Sequence, residues 1–188
     1  MSHLIHVLSP GHRAELTRHF RALDDNDRHL RFGSAMNDAA IKNYVNHIDF
    51  DRDEVLAVMD DKLRIIGAAH LAYAGDSAEI GFSVLKRARG KGIGTALFSR
   101  ATTHLTNRYI GTAYIHCLRE NGIMMHLARK HQMRVVLDGT EADAYLELPR
   151  ASPESITAEW MESRLALIDY SMKVSSNAAL EMLHTLTD

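Results

Sequence analysis

The 188 residues amount to one domain of ordinary size, with 46% apolar and 24% charged side chains. That mixture excludes disorder, a collagen-like repeat and a coiled coil as descriptions of the whole chain. Twenty-two basic residues against 24 acidic ones leave a formal net charge of −2, which excludes the broad basic surface of a general nucleic-acid binder.

Residues 4–8 read as a short strand. Ser9 offers a helix N-cap with Pro10 at the first helical position, and Leu16, Phe20 and Leu23 recur at helical spacing. Asp24 or Asp25 caps a short second helix that Gly33 stops. Asn37 and Asp38 open a third, with Ile41, Tyr44, Val45 and Ile48 on one face. After residue 50 the period changes to two. Strands at 54–59, 63–73 and 78–85 form a meander with turns at Asp60-Asp61 and Gly75-Asp76. A glycine-rich loop over 87–94 opens a helix over 95–107. A strand over 109–118, a helix over 121–131 and a hairpin of 133–138 with 142–148 close an α+β domain over 1–149.

Residues 150–188 read as a C-terminal helical extension. Ser152 and Pro153 start a helix to about 172, and Ser175-Ser176-Asn177 caps a last short one. Met161, Leu165, Ile168 and Met172 recur at four, three and four residues. The stripe exceeds what self-packing of a short appendage needs, so a homodimer is expected. No apolar run reaches 18 residues, so no membrane span is expected. The N-terminus lacks the pattern of a signal peptide. Cys117 is the single cysteine, which fits a reducing, cytoplasmic setting.

The chemistry concentrates in residues 84–95. A strand enters a loop with Gly90, Gly92 and Gly94 at alternating positions, and the loop opens a helix. A helix N-terminus presents unpaired N–H groups and partial positive charge, and glycine lets an anion approach the backbone. Lys86, Arg87, Arg89 and Lys91 add local positive charge, so a phosphate or pyrophosphate ligand is expected. No Gly-Lys-Ser or Gly-Lys-Thr occurs, which excludes a P-loop. Thr95 stands where a dinucleotide fingerprint needs its third glycine, and the preceding strand ends a meander.

Arg89-x-x-Gly92-x-Gly94 resembles the signature of the GCN5-related N-acetyltransferase family: Gln or Arg, two residues, Gly, one residue, then Gly or Ala. The element order over about 4–148 agrees with that family. The wording of Asn121-x-x-x-Met125-x-x-Ala128 and of His29-Leu30-Arg31-Phe32-Gly33 resembles the acetyltransferase domain of bacterial Pat-type protein-lysine acetyltransferases. The resemblance implies a mixed, mostly antiparallel central sheet with flanking helices. It implies acetyl-CoA as co-substrate, an amine as acceptor and direct attack in a ternary complex. The loop residues Arg89, Gly90, Lys91, Gly92, Ile93, Gly94 and Thr95 would hold the pyrophosphate. Val84 and Leu85 would pair with the pantetheine arm where their strand splays from the next one. Asn121 would contact the cofactor arm, and Arg31 and Phe32 would line the acceptor site. Glu79 stands where several branches of the family carry a working base.

Each of these residues also has a plainer reading. Glu79 reads equally as a solvated strand residue or a partner of Arg31. Arg31 and Phe32 read as a helix-terminal arginine and a core phenylalanine. Cys117 reads as a buried hydrophobe, and Glu120 as a second-choice base. Ala128 departs from the family pattern, which often has a tyrosine there to protonate the leaving thiolate. That departure sustains an alternative, an inactive acyl-CoA-binding regulatory module. No two of the 12 histidines are four residues apart, so no helical metal pair, and no metal, is expected. His70 and His116 lie on central strands within reach of the cleft.

Overall fold

The computed structural model describes residues 3–187. Seven strands form one sheet: β1 (His6–Val7), β2 (Glu54–Met59), β3 (Ile65–Ala74), β4 (Ser77–Val84), β5 (Thr112–Leu118), β6 (Arg134–Asp138) and β7 (Glu141–Glu147). Their spatial order is β1-β2-β3-β4-β5-β7-β6, and every pair is antiparallel except β4 with β5. Six helices flank it: α1 (Arg13–Arg21), α2 (Asp25–Phe32), α3 (Asp38–His47), α4 (Ile93–Asn107), α5 (Gly122–Lys130) and α6 (Pro153–Thr187).

The helix starts follow from capping. Asp24, Asn37 and Asn121 each accept the N–H three residues on, from Asp27, Ala40 and Met124. Gly33 ends α2 in the left-handed region, at φ 71°. Strand β2 is apolar on both faces because both are covered. Val55, Ala57 and Met59 pack beneath α1 and α3, whereas Leu56 and Val58 pack beneath α4. Two apolar layers therefore clamp the sheet.

Three elements differ from the sequence reading. The strand expected at 4–8 is two residues long, His6–Val7. The strand expected from 109 starts at Thr112, because Tyr109 takes a left-handed φ of 61° as the chain leaves α4. The extension is one helix of 35 residues, not two. Ser175, expected as a cap, donates instead to the Ser171 carbonyl four residues back. Asn177 reaches across to the Asp61 carbonyl. With their side chains so used, no helix start forms there.

Helix α6 is tied to α4 by a buried polar cluster. Glu159 takes an ion pair from Arg100 at 3.1 Å and a hydrogen bond from Asn107 at 2.6 Å. His104 bridges Glu159 and Glu54, and Arg100 also donates to Ser163 at 2.8 Å. Met161, Leu165, Ile168 and Met172, by contrast, are each more than half exposed. Among the described residues no helix is long and apolar enough to cross a membrane.

The feature that positions the site is a split in the sheet. Strand β4 pairs with β3 along its whole length, from Ser77↔Ala74 to Val84↔Gly67. Strand β5 pairs with β7 equally fully, from Thr112↔Glu147 to Leu118↔Glu141. Between them β4 and β5 share three pairs, the last being Glu79↔Tyr114. Beyond that point two half-sheets diverge and leave a wedge.

Candidate active site

The wedge opens into a cavity of about 940 Å³, within the usual range of ligand pockets. One end is the loop after β4. A single helical turn at Lys86–Ala88 leads to Arg89 in extended conformation, then to Gly90 and Gly92 at φ 74° and 80°. Those two angles require glycine. Gly92 has no capping side chain, so the first-turn N–H groups of α4, on Ile93, Gly94 and Thr95, face the cavity unpaired by the helix. A Cβ built on Gly90, Gly92 or Gly94 meets nothing within 4 Å, so the space in front of the loop is open. Donors, dipole and open space together make an anion cradle.

The charge of this cradle is arranged differently from the sequence expectation. Lys86 pairs with Asp24, Arg87 approaches Asp60 at 3.9 Å, and Arg89 binds the buried Asp27 at 2.7 Å. Arg89 also donates to the Val84 carbonyl at 3.1 Å. It fastens α2 to the loop, so its guanidinium is engaged within the protein and the backbone amides are left facing the cavity. Lys91 and Leu85 lie outside the cavity lining, and Leu85 is buried in the layer beneath α1 and α3. Lys130, which sequence reasoning passed over, lines the cavity and donates to the Thr95 hydroxyl at 3.1 Å. Only its place at the end of the helix after the next strand hinted at this.

The other end of the cavity lies beneath α2 and α3. Glu79, Arg31, Phe32, Tyr44 and His70 line it together. Gly81 leaves the guanidinium of Arg31 room to lie on the strand: a Cβ there would sit 2.4 Å from Arg31 Nη2. Arg31 donates to the Tyr44 hydroxyl at 3.2 Å, Tyr44 contacts His70 Nδ1 at 2.7 Å, and His70 Nε2 contacts Asp53 at 3.2 Å. Burial, then the Arg31 charge, push the His70 pKa below the usual histidine value. A neutral His70 makes the chain directional. Arg31 donates to Tyr44, Tyr44 to Nδ1, and Nε2–H to the Asp53 carboxylate. Tyr44 and Asp53 were missed because their roles depend on partners 13 to 26 residues away.

Glu79 lies beside Tyr114, whose hydroxyl pKa is raised by burial and then by the Glu79 charge. His116 and Cys117 line the wall formed by β5. A hydrogen bond to Asp143 at 2.8 Å raises the His116 pKa, and burial pushes the Cys117 thiol up, away from thiolate chemistry. Glu120 pairs with His29 at 3.3 Å and is not in this cavity. Asn121 lines the cavity, but its side chain is used structurally: it caps α5 and donates to the Leu30 carbonyl at 3.3 Å. Ala128 is buried, with no hydroxyl to offer. Among the described residues, no group of three His, Cys, Asp or Glu side chains converges as a metal site would need.

A family profile described as "Acetyltransferase (GNAT) family" matches residues 17–132. No curated protein sequence matches the chain significantly. Among solved structures, the GNAT domain of the Pat protein of S. lividans superposes with a TM-score of 0.68 at 17% identity, covering 77% of this chain and 89% of that one. A GNAT-superfamily phosphinothricin acetyltransferase from Sinorhizobium meliloti, in complex with AcCoA, gives 0.64 at 16% identity, covering 79% and 89%. Spermidine N-acetyltransferase from Vibrio cholerae, in complex with CoA and spermine, gives 0.60 at 18%, covering 77% and 95%. These likenesses establish the fold, and the match over residues 17–132 establishes kinship: the chain belongs to the GNAT family of acetyltransferases, which move an acetyl group onto an amine.

Proposed function

We propose that the protein binds acetyl-CoA across the split sheet and transfers its acetyl group directly to a primary amine held beneath α2 and α3. One observation carries this reading. A single cavity joins the anion cradle at Gly90–Thr95 to the cluster of Glu79, Arg31, Tyr44 and His70, by way of the gap between β4 and β5. The fit to acetyl-CoA rests on the donors present. The α4 amides and Lys130 suit a pyrophosphate, and the unpaired β4 edge beyond Glu79 suits an amide-bearing arm that adds like a strand. When bound, acetyl-CoA supplies the activated thioester.

The residues divide the remaining work. Arg89 and Asp27 hold the loop against α2, and Gly90 and Gly92 give it the left-handed turns that aim its amides inward. An aliphatic amine has a pKa near 10.4, so only about 0.4% is neutral at pH 8. Glu79, on the strand where the gap opens, takes the amine's proton, directly or through water; its position in the cavity lining supports this role. With Ala128 in place of a hydroxyl, the leaving thiolate is unassisted from α5, which a thiol pKa near 8.5 tolerates.

A second copy of the chain is the proposed cover for the exposed stripe of Met161, Leu165, Ile168 and Met172. The single, buried Cys117 supports a cytoplasmic setting.

Acetyl-CoA at one hundred times its Kd should stabilise the fold by about 2.7 kcal/mol, raising Tm by roughly 5–11 °C. Released CoA is then measured with a panel of amines. Glu79→Gln should keep the Tm shift and lose about 100-fold or more in turnover. No Tm shift would reject acetyl-CoA binding. A shift without turnover of any amine would favour the inactive acyl-CoA-binding module.

A further inference from the structure

Among the described residues, Arg31, which is held in the acceptor end of the cavity, forms an ion pair with no carboxylate. Its neighbours along α2 and β4 do not supply one. Asp27, one helical turn back, is occupied by Arg89, and Asp53 is occupied by His70. Glu79 is turned toward Tyr114. The single hydrogen bond that Arg31 makes among the described residues goes to the Tyr44 hydroxyl, and its buried Nε has no partner.

A cation in such surroundings is costly unless something pairs with it. Yet the fold goes to some length to keep it there. Phe32, Phe20 and Tyr44 surround the guanidinium at 4.9, 5.8 and 5.9 Å from their ring centres. Gly81 is the residue type that leaves room for it on the strand. The directional chain through Tyr44 and His70 to Asp53 fixes the hydroxyl as acceptor toward Arg31. The result is a rigid planar fork whose remaining donors are free. That geometry matches a carboxylate, which takes two parallel N–H groups.

We propose that the acceptor is a small amine that itself carries a carboxylate, as an amino acid does, and that Arg31 reads that carboxylate while Glu79 receives the amine. Glu79 and Gly81 lie two residues apart on one face of β4, about 7 Å, so the two groups on the acceptor are separated by only a few bonds. This rests on the acetyltransferase reading above and names the acceptor class of the same site.

The test uses matched pairs of amines that differ only in carboxylate against carboxamide. The twenty common amino acids and their amides, with β-alanine and β-alaninamide, are assayed for CoA release. Tm with acetyl-CoA alone is recorded first, as an independent check on the donor site. The amide has the less basic amine, so any preference for the acid runs against intrinsic reactivity. The expected result is at least one acid favoured over its amide by 10–100-fold in kcat/KM, carried by KM, the range for a hydrogen bond to a charged group. Arg31→Gln should bring that ratio to about one, and Arg31→Lys should restore part of it. An unchanged acetyl-CoA Tm shift in both variants shows that the fold is intact. Equal rates for acid and amide, turnover confined to amines without a carboxylate, or absence of turnover throughout the acids would overturn the proposal. So would an Arg31→Gln variant that slows acid and amide equally, which would mark Arg31 as acting on the thioester carbonyl instead. Loss of the Tm shift in the wild type would instead remove the acetyl-CoA reading itself.

Discussion

Two glycines on neighbouring strands allow the site to be separated from the core by one atom each. In Gly81→Ala the new Cβ would lie 2.4, 2.6 and 2.8 Å from Nη2, Cζ and Nη1 of Arg31. No backbone strain opposes the change, since Gly81 is not in the left-handed region. The obstacle is the tip of a flexible side chain, so the guanidinium moves. It loses the 3.2 Å bond to Tyr44 and the close contact with Phe32. Removing a glycine stiffens the unfolded chain by about 0.4–1 kcal/mol, and the lost contacts cost about 1–2 kcal/mol. Net stability should therefore fall by about 0–1.6 kcal/mol, and Tm by about 6 °C at most. In Gly67→Ala the Cβ meets Ile93 Cγ2 at 2.6 Å, a branched atom in the packed layer beneath α4. Overpacking there costs about 1–3 kcal/mol, which the same glycine gain only partly offsets, a Tm loss of up to about 10 °C. Thermal melts and steady-state kinetics on both variants give opposite patterns. Gly81→Ala should raise the acceptor KM about tenfold with little loss of Tm, and Gly67→Ala should do the reverse. A Gly81→Ala enzyme with an unaltered acceptor KM would refute the placement of Arg31 in the acceptor site.

Other substitutions probe the cradle, the helical anchor and the exposed stripe. Gly92→Ala forces a Cβ into φ 80°, costing about 1–2 kcal/mol, and should reduce the acetyl-CoA Tm shift. The Glu159 carboxyl feels burial, which alone would raise its pKa. Hydrogen bonds from His104 and Asn107, with the His104 and Arg100 charges, outweigh burial and push it down to about 2. The folded value lies below the unfolded one of about 4.3, so its contribution is complete above pH 4.3 and is lost as pH falls toward 2. That loss should be about 1–3 kcal/mol after allowance for screening, and acid titration of Glu159→Gln should lack it. Leu165→Glu with Ile168→Glu places charges in the exposed stripe of α6 and should halve the mass measured by sedimentation; an unchanged dimer, or a wild-type monomer, would dismiss that interface.

Much of the loop after β4 was legible because its determinants are local. Gly90 and Gly92 were placed by loop composition, and their left-handed angles are properties of single residues. Asp24, Asn37 and Asn121 cap helices through a bond spanning three residues, so a short window contains cause and effect. The meander β2-β3-β4 followed from turns between adjacent strands. The tail misled because Ser175, Ser176 and Asn177 carry cap chemistry in either setting. In the folded chain Ser175 bonds back to the Ser171 carbonyl and Asn177 meets Asp61, 116 residues away.

Composition and pattern alone carried the α+β reading, a glycine loop opening a helix, and the expectation of an anionic ligand for it. Tertiary structure decided where the charges go. Residues 27 and 89, or 53 and 70, meet only once the sheet has formed. It also decided that β7 inserts between β5 and β6, and that β4 and β5 part after Glu79. Propensity and capping act over a few residues, so sequence order preserves them. Ion pairs, strand neighbours and cavity walls join residues far apart in the chain, so they exist only after folding brings those residues together.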